Sequence, residues 1–158
     1  MRELKSLPSS IAIDTGPLLL PITREPGWDK IRRLLVMHER GVVTLYVGLF
    51  NISELSYAMY RLGFDEETAL KYSILVSERL NIIKDVQYAT WMSKIRIRSY
   101  EHGYNIPWGD ISSAAVALSL DIPVVALDED KHFNYIALLG SELGRTIRII
   151  RVVRDLKV

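Results

Sequence analysis

Short apolar runs that alternate with helix-length amphipathic segments constrain this chain more than any other feature. Ile11-Ala12-Ile13 and residues 42–47, 81–84, 122–127 and 146–153 read as strands, rich in β-branched residues and bounded by turn residues. Between them lie helical patterns. Residues 28–40 carry Trp28, Ile31, Leu34, Leu35 and His38 on one stripe, and Gly41 closes the segment. A helix capped by Asn51 or Ser53 runs through Arg61, with Ile52, Leu55, Met59 and Leu62 inward. Asp65-Glu66-Glu67 opens the next, which extends to about Leu80, its acidic first turn suited to the helix dipole. Asp85 caps a long helix ending before Gly103, residues 108–120 form another, and residues 133–139 a short last one. Strands separated by helices at this spacing predict right-handed crossovers and a mainly parallel sheet covered on both faces. The expected class is α/β, a three-layer α/β/α sandwich.

The length of 158 residues fits one domain, 1–158, with its core at 11–152. There is no cysteine, which excludes a disulfide framework, a thiolate zinc site and a cysteine nucleophile. His38, His102 and His132 lie far apart, so a histidine-based metal site is poorly supplied. Twenty Lys+Arg against nineteen Asp+Glu leave a net charge of +1, so no global field attracts a polyanion. Arg2, Glu3 and Lys5 break the N-terminal segment, which does not read as a signal peptide. No run approaches the roughly 18 apolar residues of a membrane span. A soluble, cytoplasmic protein is expected.

In open parallel sheets, sites form at the carboxyl ends of strands and at the helix starts beside them. Asp14 ends the first strand, and Glu54 and Asp110 lie in the first turns of their helices. Asp128, with Asp130 just beyond it, follows residues 122–127. Four segments therefore present a carboxylate toward one rim. Like charges about 4 Å apart repel by about 4 kcal/mol at an effective dielectric near 20. Such a cluster calls for a cation or a shared proton, and oxygen donors without sulfur or imidazole select Mg2+ or Mn2+. In that reading Asp14 bridges, Asp110 and Asp128 are further ligands, and Glu54 is a ligand or a water-orienting base. Taken singly, each acid has a plainer account: Asp14 as a turn residue, Asp110 as an N-cap, Glu54 on a solvated face, and Asp128-Glu129-Asp130 in a charged loop. Their concurrence on one rim weakens those accounts together.

These segments resemble the PIN-domain nucleases, more specifically the VapC-type toxins. Ile11-Ala12-Ile13-Asp14 is similar to the family's opening strand and first aspartate, and Asn51-Ile52-Ser53-Glu54-Leu55 to its glutamate motif. Asp110-Ile111-Ser112-Ser113-Ala114-Ala115 is similar to the helix carrying the third acid, and residues 122–133 to the closing Thr-x-Asp-x-Asp-Phe segment. That last motif aligns two ways. Counting from the strand puts Asp128 at the key acid; counting back from Phe133 puts Asp130 there, Asp128 at the Thr, and His132 in place of the final Asp. The first is preferred, because Asp128 follows the strand directly, and Asp130 is then peripheral or an additional ligand. Gly16-Pro17 also departs from the Ser or Thr often found after the first Asp, which puts a hydroxyl contact in question. The resemblance implies a five-stranded parallel sheet, metal-dependent ribonuclease activity with Mg2+ or Mn2+, an RNA substrate, a small antitoxin partner and a homodimer. The competing reading is a catalytically degenerate PIN domain that binds RNA or protein without cutting.

Asp14-Thr15-Gly16 is also the aspartic-protease tripeptide, but that enzyme needs an all-β fold that the helical content here opposes. Arg145, Arg148, Arg151, Arg154 and Lys157 make a basic C-terminus, read foremost as a solvated edge strand and secondarily as an RNA contact. Lys94, Arg96 and Arg98 read as a solvated helix face. Tyr57 and Tyr60 lie away from the inner stripe of their helix, and the following helix carries Leu70, Ile74 and Ser77 on one stripe and Tyr72 and Val76 on another; a two-fold partner is the expected cover of the second face.

Overall fold

The structure, a computed structural model, describes residues 6–158. Arg2, Glu3 and Lys5, on which the reading of the N-terminal segment rests, lie outside the described residues. Five parallel strands form one sheet: β1 (Ser10–Ile13), β2 (Thr44–Gly48), β3 (Asn81–Ile83), β4 (Val124–Ala126) and β5 (Ile149–Arg151), in the order β3-β2-β1-β4-β5. Seven helices join them: α1 (Thr15–Thr23), α2 (Trp28–Glu39), α3 (Leu49–Arg61), α4 (Glu66–Arg79), α5 (Val86–His102), α6 (Trp108–Leu120) and α7 (His132–Leu139). The expected parallel α/β sheet is what the structure has, and to the helices expected from the sequence it adds α1 directly after β1. No helix among the described residues is long and apolar enough to cross a membrane.

Side chains alternate across each strand, so both faces of the sheet are apolar. Ile11, Ile13, Leu45, Val47 and Val125 belong to one core, with Leu18, Ile31, Leu34 and Leu55 from the helices on that side. Ala12, Val124 and Ala126 point the other way, into a core shared with Ile95, Ile111, Ala114, Phe133 and Ile136. The α6 helix is buried from Gly109 through Leu118, and its run of Gly, Ser and Ala lets it lie close against its neighbours.

Strand order sets the place of the site. From β1 the chain steps outward to β2 and β3, then returns to the other side of β1 with β4 and β5. The order therefore reverses between β1 and β4, where Ala12 pairs with Val124 and Ile13 with Val125. A crevice opens at the carboxyl ends of the strands flanking such a reversal. Asp14 stands at the end of β1, and residues 127–131 follow β4.

Local expectations were met unevenly. Asp85 caps α5 by accepting from the Tyr88 N–H at 2.9 Å, and Gly103 ends it with φ +70°. By contrast, α3 starts at Leu49, so Asn51 is not its cap but a buried residue of its first turn. Leu62, expected inward, is exposed at the C-terminus of α3, because the helix ends in the αR turn that holds Leu62 to the carbonyls of Ala58 and Met59.

Candidate metal centre

Asp14 occupies the N-cap position of α1, yet its side chain makes no capping hydrogen bond. The residue is only 3% exposed, and its Oδ1 accepts the Ser113 hydroxyl at 2.5 Å. Asn51 stands at the centre of the surrounding network. Its amide nitrogen reaches Thr15 Oγ1 and the Gly109 carbonyl at 3.0 Å each, and Ser113 Oγ at 3.1 Å. Its Oδ1 accepts the Ser112 hydroxyl at 2.6 Å, and Ser112 in turn bonds the Tyr88 hydroxyl. A network in which each buried polar group has a partner is rigid, and this one joins α1, α3, α5 and α6 beneath the Asp14 carboxylate.

Glu54 follows Asn51 by three residues on α3, hence on the same helical face. Its carboxylate lies directly over Gly109, where any Cβ would collide with both of its oxygens. Gly109 is therefore needed for close approach, and it brings Glu54 beside Asp110, the next residue of α6. Asp110 is 8% exposed.

The fourth segment is the loop after β4. Both Asp128 oxygens are taken by backbone N–H groups of the C-terminal turn, Val153 at 2.7 Å and Arg154 at 2.9 Å. Asp130 instead faces Asp110. Its Oδ1 accepts the His132 backbone N–H at 2.9 Å, and His132 Nδ1 lies 3.3 Å from that oxygen and 3.1 Å from Asp110 Oδ2. Donor atoms of Asp110, Asp130 and His132 all lie within 4.8 Å of one another. Arg151 of β5, 4% exposed, holds this loop in place. Its guanidinium donates to the carbonyls of Leu127 at 2.6 Å and Asp130 at 2.9 Å, and to Asn134 Oδ1 at 2.8 Å.

Charge accumulates here without a protein counter-ion. Among the described residues, no Lys or Arg makes an ion pair with Asp14, Glu54, Asp110 or Asp130, and His132 is the one basic group that meets them. Burial, above all, pushes the Asp14 carboxyl up to about 7; the Ser113 hydrogen bond opposes the shift, while the charges of Glu54 and Asp130 add to it. Asp110 is pushed up to about 9 by burial first and then by Asp14, Asp130 and Glu54. Two carboxyls thus resist ionisation together, the condition that a bound cation relieves.

Of the residues singled out in the sequence, Asp14, Glu54, Asp110 and Asp130 come together, and Asp128 does not join them. The order expected for the last two is reversed in space. Asp128 leaves the strand end pointing at the C-terminal turn, and the chain needs two more residues to bring a carboxylate round to Asp110. This placement matches the alignment counted back from Phe133. Arg151 is likewise not part of a solvated basic edge but a buried loop anchor. Sequence reading missed Asn51, Ser112 and Ser113 as supports, although Ser112-Ser113 on an otherwise apolar helix is the kind of signal that finds them. His132 enters the sequence reading as one of three scattered histidines and as a replacement for the motif's final Asp, not as a neighbour of Asp110.

A parallel α/β sheet with a cluster of buried and half-buried carboxylates at its topological switch, none of them paired to Lys or Arg among the described residues, defines a class of proteins built around an acidic centre. Within that class the PIN-domain profile matches residues 11–138, and the chain belongs to the PIN-domain family. Its fold is shared with the DNA-bound VapBC structure of Salmonella typhimurium (21% identity, 90% of this chain and 98% of that one, TM-score 0.68). It is shared also with VapBC2 of Rickettsia felis bound to a promoter DNA fragment (17% identity, 89% and 98%, TM-score 0.64). A third similar structure is VapC20 of Mycobacterium tuberculosis, described as a sarcin-ricin-loop-cleaving toxin (17% identity, 76% and 91%, TM-score 0.58). No curated protein matches the chain by sequence.

Proposed function

We propose that this chain is a divalent-metal-dependent endoribonuclease acting as the toxin of a toxin–antitoxin pair. The observation that carries the proposal is the convergence of Asp14, Glu54, Asp110 and Asp130 from four segments, with no Lys or Arg among the described residues paired to them. An oxygen-rich donor set of this kind suits Mg2+ or Mn2+. Asp14, Asp110 and Asp130 are the residues to hold the ion, with Glu54 a further ligand or the base that orients water. Asp128 serves the loop and not the ion. When bound, such a cation lowers the pKa of a coordinated water and screens phosphodiester oxygens.

The protein's own residues supply the rest. Ser113, positioned by Asn51, fixes one oxygen of Asp14. The bare face of Gly109 holds Glu54 against the centre. Arg151 keeps Asp130 in reach of Asp110. RNA as the substrate is supported by the likeness to a toxin described as cleaving the sarcin-ricin loop. A small antitoxin is supported by the likeness to VapBC structures. An apolar groove of about 120 Å3 between α1, α2 and α4, lined in part by Leu18, Leu35, Tyr72, Leu75 and Val76, is a seat of suitable character for it. A homodimer is supported by Tyr57 and Tyr60 on α3 and Leu70 and Ile74 on α4, all exposed. The cytoplasm is the proposed place of action.

Incubating a mixed RNA pool with the protein and Mg2+ or Mn2+, followed by mapping of the new ends, tests the activity. Cleavage is expected to stop with chelator and in Asp14→Asn. Cleavage undiminished in chelator overturns the metal mechanism. RNA binding without cleavage, and without a Mn2+ site lost in Asp14→Asn, returns the degenerate binding module.

A further inference from the structure

We infer that His132 is a nitrogen ligand of the cation at this centre, which makes it a mixed carboxylate–imidazole site selecting Mn2+ over Mg2+. The inference rests on the metal reading above and adds to it a ligand and a preference. His132 is the first residue of α7, and its backbone N–H is fixed to Asp130 Oδ1 at 2.9 Å. The main chain that carries the ring is therefore tied to the acid loop, which Arg151 holds in turn. Its Nδ1 stands 3.1 Å from Asp110 Oδ2 and 3.3 Å from Asp130 Oδ1, facing carboxylates of two different segments. In an octahedral shell with bonds of about 2.1 Å, neighbouring donors are about 3.0 Å apart. The two separations at His132 Nδ1 are close to that spacing, and all three donor atoms fall within 4.8 Å.

The other nitrogen is free to carry the ring proton. Nε2 has no protein hydrogen-bond partner among the described residues, and the side chain is 39% exposed, so water can accept from it. A neutral imidazole protonated at Nε2 presents the Nδ1 lone pair to the two acids. The remaining histidines are engaged differently. His38 has both ring nitrogens within reach of backbone groups, those of Val43, Leu45 and Arg79. His102 meets Glu142 and stacks on Tyr104. Among the described residues, only His132 faces two carboxylates.

Imidazole changes which ion the site prefers. Mg2+ favours oxygen donors and gives up its waters reluctantly, whereas transition-metal ions gain from a nitrogen donor. The competing account of the same contacts is a protonated His132 that hydrogen-bonds both acids as a counter-ion and leaves when a cation arrives.

The test uses the full chain with Mn2+ alone as probe. Pulsed electron paramagnetic resonance of the bound Mn2+ is expected to show coupling to a 14N nucleus in the wild type. The coupling should vanish in His132→Gln and His132→Asp, with unfolding temperatures confirming that both variants fold. Competition by Mg2+ against Mn2+ should improve about tenfold or more in His132→Asp, which restores an oxygen donor. Bound Mn2+ without 14N coupling, or coupling and selectivity unchanged in both variants, overturns the ligand assignment. Mn2+ binding that is lost in Asp14→Asn but shows no nitrogen coupling sinks this inference alone. No Mn2+ binding by the wild type sinks the metal reading with it.

Discussion

The two walls of the acidic crevice are built by different means. On one, Asp14 sits at a strand end, Asp110 in the first turn of α6, and Glu54 in the second turn of α3 rather than the expected first, because that helix begins at Leu49; their supports (Asn51, Ser112, Ser113 and Gly109) lie on α3 and α6. On the other, Asp130 and His132 lie in or at the end of a loop whose shape is dictated from outside, by Arg151 of β5 and by the clasp of Asp128 on the Val153 and Arg154 amides. The first wall is rigid because local structure and a buried network agree. The second is positioned only when the last strand has docked. Carboxylates of equal importance to a centre can thus be held by local or by wholly tertiary means.

The sharpest way to break this comparison is to remove one acid from each wall and the decoy between them. Asp14→Asn and Asp130→Asn are each expected to lower RNA cleavage by roughly 10²–10⁴-fold, the scale on which a positioned acid–base or electrostatic group acts. Asp128→Asn should leave cleavage within a few-fold of wild type. Initial rates on one mapped RNA site decide it. An Asp128 variant as inactive as the Asp130 variant would return Asp128 to the centre.

The next largest effect is on stability against pH without cation. The carboxyls of Asp14 and Asp110 are raised to about 7 and about 9 from an ordinary value of 3.8. Folding therefore favours their protonated forms. Their contribution is fully present below the unfolded value and is lost as pH rises through the folded values, at up to about 1.4 kcal/mol per pH unit for each proton taken up on folding. Because the two carboxyls are coupled, they titrate as a pair. Unfolding temperature in chelator should fall from pH 5 to pH 9, Asp110→Asn should flatten the fall, and Mn2+ should raise the curve most at its alkaline end. A flat profile in chelator would mean that the repulsion is relieved by some other route.

How much of this was legible from residues alone follows the same division. The strands were visible because a sheet covered on both faces needs apolar residues throughout, and Asp14 and Asp110 because each stands next to an element boundary. Those two needed only that boundary to be placed, whereas Glu54 reaches the site from the second turn of α3, on the face it shares with Asn51. Asp128 had the better local credentials, directly after a strand. Its rival's position depends on Arg151, twenty-one residues away from Asp130, and on amides of a turn that no local pattern ties to the loop. Arg151 itself looked like one more charge on a basic edge, because side-chain burial at a sheet edge depends on what packs there. The Asn51 network was hidden for a related reason: Asn near a helix start reads as a cap until the helix is seen to begin earlier.

Arg151 offers a direct attack on the second wall. Truncation to Met would leave the half-buried carbonyls of Leu127 and Asp130 and the exposed Asn134 amide oxygen without their donor. The expected cost is about 1–3 kcal/mol in urea unfolding, since bonds from a charged donor are lost and water reaches the half-buried acceptors only in part. Hydrogen exchange should quicken in residues 127–134 while amides around Asn51 keep their protection. Uniform loss of protection in both walls would show that they are one cooperative unit and not two.

The smallest effect separates holding the loop from holding the ion. Asp128 accepts two backbone N–H bonds with its two oxygens, at 2.7 and 2.9 Å. Asn at this position keeps one acceptor of nearly the same shape and replaces the other by an NH2 group that cannot accept. One amide, of Val153 or Arg154, then loses its partner and faces a donor. Both lie near the surface, where water can step in, so the penalty is that of a charge-assisted bond partly replaced by solvent, about 1 kcal/mol. Asp128→Asn should therefore unfold at slightly lower urea, with faster exchange confined to the Val153–Arg154 turn and with Mn2+ affinity unchanged. Asp128→Ser, with a hydroxyl that can accept from one of the two amides, should recover part of the loss, as the Thr at the corresponding place in the family's motif would. Weakened Mn2+ binding in either variant, with the turn's exchange unaltered, would reverse the roles assigned to Asp128 and Asp130.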